Sequence, residues 1–142
     1  MPARILFVVI GALGTGLWNV FISSAARQIP PLLGAVICEL TAVAAGALML
    51  LPALGSGLPR VSLKAAVLCM LAGLSVLTAD YFILKAYKQG LAVSVGGPIL
   101  IGGGILVVTL MGVFLGEKMT LLKALSILMI LTGASILGSL PR

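Results

Sequence analysis

PLLGAVICELTAVAAGALMLL, residues 31–51, is an apolar run interrupted by a single charge, Glu39. An α-helix rises 1.5 Å per residue, so about 20 apolar residues cross a hydrocarbon core of about 30 Å. The run has that length, and it opens on Pro31, a residue suited to a first helical turn where no N–H partner is needed. Four more stretches of the same kind flank it: Ile5–Ala26 before it, and Ala65–Tyr87, Leu91–Leu115 and Leu121–Leu140 after it. The whole chain of 142 residues is 61% hydrophobic and 8% charged. A soluble domain is about half apolar and about a quarter charged. Too little polar surface remains to coat a particle in water, so the solvent is lipid and the fold class is an all-α integral membrane bundle of five spans, one domain over residues 1–142.

The breaks between spans agree with this. Arg27, Gln28 and the Pro30–Pro31 pair separate the first two, and Gly55, Ser56, Gly57 and Pro59 make the one longer loop. Lys88-Gln89-Gly90 and Gly116-Glu117-Lys118 are tight turns. Connections this short make sequential helices antiparallel neighbours and leave no room between them for a soluble domain. The first run is longer than the 7–15 residues of a signal-peptide core, so it is read as a span and not as a cleaved leader. In the third, the uncharged part stops at Ala79 before Asp80. A re-entrant Ala65–Leu84 is the alternative. Tyr81, Phe82, Ile83 and Leu84 continue the apolar run, however, and Lys85 and Lys88 are placed to snorkel to the interface.

The net charge of +6 does not point to nucleic acid, because the nine basic residues are scattered between apolar runs, where they meet phospholipid headgroups. Five spans put Arg4, Arg60, Lys64, Lys118 and Lys123 on one side and Arg27, Lys85, Lys88 and Arg142 on the other. Lys and Arg favour the cytoplasm. Five against four is almost no instruction, so the chain is expected to insert both ways up, unless a partner or the weak bias itself decides. Two opposite copies would form an antiparallel homodimer with its axis in the membrane plane, the symmetry of inverted-repeat transporters. A heterodimer with a similar short chain is the other form of this expectation.

Chemistry is confined to few residues. There is no histidine, and Cys38 and Cys69 lie in separate runs without metal-ligand spacing, as small apolar packers. No Cys or Ser sits beside a plausible base, so an enzyme is not expected, nor is a metal or cofactor. Glu117 reads as a solvated turn residue. Glu39 lies eight residues after Pro31, about 12 Å into its span at 1.5 Å per residue. No Lys or Arg sits at that depth in another span. An ionised side chain there costs about 3 kcal/mol on insertion scales, so such acids are functional by default. The alternative is a neutral Glu39 bonded to Thr41 or Thr15. Asp80 is either a second functional acid or an interfacial one near Lys85 and Lys88. Trp18 and Asn19 lie deep in the first span; Trp18 either offers an aromatic face to an organic cation or simply packs. With Tyr81, these residues complete the candidate substrate- and proton-binding set. In the fourth span, Gly96-Gly97-Pro98 and Gly102-Gly103-Gly104 read either as close helix packing or as a hinge, since Gly/Pro-interrupted spans mark transporter sites.

The stretch from Gly90 to Leu137 resembles the end of an EamA-type domain of the drug/metabolite transporter superfamily. It carries Pro98, then Gly112-Val113-Phe114-Leu115-Gly116-Glu117, Thr120-Leu121-Leu122 and Leu128-Met129-Ile130-Leu131-Thr132-Gly133. Trp18-Asn19-Val20-Phe21 and Pro30-Pro31-Leu32-Leu33 are similar to the front of such a domain. The resemblance implies five helices and half of an inverted-repeat transporter; many members carry two such domains, and this chain carries one. The small multidrug resistance proteins, more distantly similar, are dual-topology dimers with an embedded glutamate in the first helix, whereas Glu39 is in the second. The expectation is a multi-pass cell-membrane transporter for a small metabolite or drug-like cation, exporting it against protons. A flippase for a lipid-linked sugar is the alternative, and a non-transporting subunit of a larger membrane complex is the alternative of another class.

Overall fold

The structure, a computed structural model, describes residues 3–55, 57 and 60–139. Among them there are five α-helices and no strand: α1 Ala3–Ala25, α2 Pro31–Leu54, α3 Leu63–Lys88, α4 Val93–Phe114 and α5 Leu121–Ser139. All five are long and apolar enough to cross a membrane. α3 is one continuous helix, which carries Asp80 inside it. α2 runs past its expected end at Leu51 and contains Pro52. Only two residues follow that proline in the helix, so the turn it weakens is the last one. Of the loop expected at Gly55, Ser56, Gly57 and Pro59, Ser56 and Pro59 lie outside the described residues, as do Met1, Leu140 and Arg142.

Local chemistry explains the helix ends. α4 stops at Phe114 because Gly116 adopts φ +87°, so that Gly116 N donates to Val113 O at 3.0 Å and Glu117 N to Gly112 O at 2.9 Å. The same paired closure ends α3. Gly90 has φ +95°, Gly90 N reaches Tyr87 O at 3.0 Å, and Leu91 N reaches Ala86 O at 3.2 Å. Both are Schellman caps, which satisfy carbonyls that hydrocarbon could not. At the start of α3, Ser62 Oγ accepts from Ala65 N at 3.2 Å. Inside the spans, hydroxyls bond back to their own helix, as from Thr132 Oγ1 to Leu128 O at 2.7 Å and Ser126 Oγ to Leu122 O at 2.9 Å.

Burial is concentrated at one end of the bundle, where α1 and α3 finish and α2 and α4 begin. The buried apolar residues are Ile22, Ala26, Ala35, Ile83, Leu84 and Tyr87. α2 packs closely on α3 and α4 on α5, while α1 lies against α3 and α4. Glycine permits the close crossings. A Cβ on Gly34 would lie 2.9 Å from Leu84 Cδ1, and one on Gly102 would lie 3.1 Å from Ala134 Cβ. Away from this end the side chains are mostly exposed, and α5 has no fully buried residue. That distribution would be untenable in water and is ordinary in lipid, where outward Leu, Ile and Val lose nothing.

Candidate functional site

Two carboxylates lie on the packed pair α2 and α3, toward the buried end of the bundle. Glu39 lies eight residues from the start of α2, and Asp80 lies eight residues from the end of α3. The two helices run antiparallel, so the two acids sit at one depth, about 12 Å in at 1.5 Å per residue. They are close enough to act on each other electrostatically. Asp80 sits inside α3, eight residues before its end at Lys88. It is 2% exposed, with Oδ1 buried and without a hydrogen-bond partner, and Glu39 Oε1 is likewise unpartnered. The hydroxyls offered as partners for Glu39 are engaged elsewhere. Thr41 Oγ1 donates to Ile37 O at 2.8 Å and Thr15 Oγ1 to Gly11 O at 3.0 Å.

α1 supplies the neighbours. Trp18 is half-buried and lies close to the Asp80 carboxylate. Asn19 is 4% exposed; its Oδ1 accepts from Tyr87 Oη at 2.6 Å, while its Nδ2 has no partner. Tyr81 is half-buried and stacks edge-on against Phe82, ring centroids 5.0 Å apart. Tyr87 was not among the residues picked out from sequence, because it sits at a helix end beside Lys88, where an interfacial tyrosine is expected. Its partner Asn19, an amide seven residues inside an apolar run, is the signal that could have found it. Cys38 packs against the buried cluster, within electrostatic reach of both acids, whereas Cys69 is exposed on its helix.

The glycines of α4 divide. A Cβ on Gly96 would stand 2.5 Å from Tyr87 Cε1, so Gly96 makes room for the Tyr87 ring. Gly97 faces the Asn19 amide at ordinary contact distance, and Gly102 packs on α5. Gly103 and Gly104 face open space. The helix is unbroken through Pro98. A cavity of about 630 Å³ opens between α1 and α3, with Thr15, Trp18, Ser75 and Asp80 on its walls. A second, of about 610 Å³, lies between α1 and α2 and is apolar, lined by Leu17, Phe21, Ile37 and Leu84 among others, with Trp18 shared between the two. Compared with protein-family models, with curated proteins and with solved structures, the chain matches none of them.

Proposed function

We propose that the chain is a membrane transporter of the EamA type, exporting a small metabolite or drug-like cation in exchange for protons and working as an antiparallel pair. The observation that carries this reading is the pair of acids at one depth, each with an unpartnered oxygen. Keeping an acid in a span is costly, and its retention in a bundle of this kind goes with proton or cation movement. Trp18, which lines the same cavity as Asp80, offers an aromatic face suited to a cation. A scaffold subunit has no use for such a group.

The test is transport by the full chain in proteoliposomes under an imposed pH gradient, with a panel of organic cations, amino acids and sugars. Wild-type uptake should follow the gradient. Glu39→Gln keeps size and most hydrogen bonding but cannot ionise, so it should insert normally and lose the pH dependence. An unchanged pH profile in that variant would make Glu39 structural and end the proton-coupling reading.

A second reading, a flippase for a lipid-linked sugar, draws on the apolar α1–α2 cavity, whose walls suit an acyl or isoprenoid chain. Transfer of a fluorescent lipid-linked sugar between leaflets, with no cation flux, would favour it over export.

A further inference from the structure

We propose that each chain carries a complete site for one organic ammonium ion, with Asp80 as its anionic floor, Trp18 as its aromatic wall and Glu39 as a second negative charge behind it. This deepens the transport reading and rests on it for the class of ligand. It differs from a site shared between two copies, in which one ligand would be held by two chains.

The α1–α3 cavity is built from a single chain, and its polar groups are nearly all acceptors. Asp80 is among its lining residues, and Asp80 Oδ1 is buried and unpartnered. Thr15 Oγ1 donates to Gly11 O, and Ser75 Oγ donates to Leu71 O at 2.9 Å. Each hydroxyl hydrogen is thereby held by its own helix, leaving oxygen lone pairs for the cavity. The Trp18 indole adds a π face, which attracts cations. The charges around Asp80 have the same sense. α1 holds none at this depth, α2 holds Glu39, α4 holds none, and on α3 Lys85 and Lys88 are exposed and nearer the helix end.

The size and composition of the cavity narrow the cation. Its volume of about 630 Å³ is in the range of small-molecule sites. Gly11, Gly14, Val76 and Ala79 make the remainder of the lining apolar or small. A divalent metal would need six or more oxygen ligands for calcium, or an octahedral shell for magnesium. Among the described residues no group of three or more His, Cys, Asp or Glu side chains could hold a metal ion. Glu39 does not line the cavity and acts through its charge, so it is a positioning residue for Asp80.

The probe is benzyltrimethylammonium, with neopentylbenzene as its uncharged isostere, added to the full-length chain in detergent. Equilibrium dialysis with labelled probe counts ligands per chain. Trp18 is the sole tryptophan and lines both this cavity and the α1–α2 one, so its emission reports a ligand in either, and loss of the signal in Asp80→Asn assigns it to this one. One ammonium per chain is expected, with a saturable change in Trp18 emission that the neutral isostere does not produce. Asp80→Asn should remove both signals. Glu39→Gln should keep one ligand per chain and weaken binding roughly tenfold. One ligand per two chains, equal response to the isostere, or binding unchanged in Asp80→Asn would overturn the proposal, and the first of these is read on the wild-type chain without any variant. Binding at one per chain with no transport would instead remove the transport reading and leave the site.

Discussion

The Tyr87 ring lies in the space that a side chain on Gly96 would occupy, and its hydroxyl reaches across to Asn19 on α1. Three helices are thus tied through one tyrosine at the closed end of the bundle. Gly96→Ala puts a methyl group 2.5 Å from Tyr87 Cε1, and overpacking of this kind costs about 1–3 kcal/mol. Gly103→Ala adds the same methyl in open space and should be neutral or slightly stabilising, since Ala is favoured over Gly in helices by about 1 kcal/mol. Thermal unfolding of the two variants in one detergent checks this. Equal melting points would mean that the Tyr87 ring moves aside freely.

At the scale of the helix, α4 combines a proline inside the span with glycines on several faces. Pro98 withholds the N–H that would bond to the Ser94 carbonyl one turn earlier, and an interior proline costs a helix about 3 kcal/mol. Pro98→Ala should stiffen α4 and slow transport while insertion and assembly persist, measured as turnover in proteoliposomes against the amount of protein incorporated. Unchanged turnover would leave the proline with a packing role. The end of the same helix depends on Gly116 at φ +87°, where a Cβ costs roughly 1–2 kcal/mol. Gly116→Ala should lower the melting temperature, whereas Gly133→Ala, in a helix with nothing within 4 Å of the added methyl, should not. A drop of equal size in both would separate the effect from backbone handedness.

For the molecule as a whole, positive charge is nearly balanced across the spans. Reporters fused after Arg142 should be active on both sides of the membrane, and adding two lysines beside Arg4 should drive that end to the cytoplasm. A single population on one side would remove the antiparallel homodimer. The exposed faces of α5 and of the open halves of α1–α4 are largely apolar, a surface that lipid or a second copy can cover.

Length and hydropathy alone made the five spans legible, because no soluble alternative can hide so much apolar surface, and the turns at Gly90 and Gly116 were legible because only glycine readily takes their backbone angle. The helix ends beyond Leu51 were less so, since a proline in a last turn weakens a helix without stopping it. Glu39 stood out as an acid with no partner at its depth. That Asp80 shares its depth, that Trp18 lies close to Asp80, and that Tyr87 closes on Asn19 over Gly96 were decided only by tertiary structure. The reason is physical. Hydropathy specifies that a segment leaves water, whereas the rotation of each helix about its axis, which sets who faces whom, is chosen by close packing of small residues such as Gly34, Gly96 and Gly102 against particular neighbours.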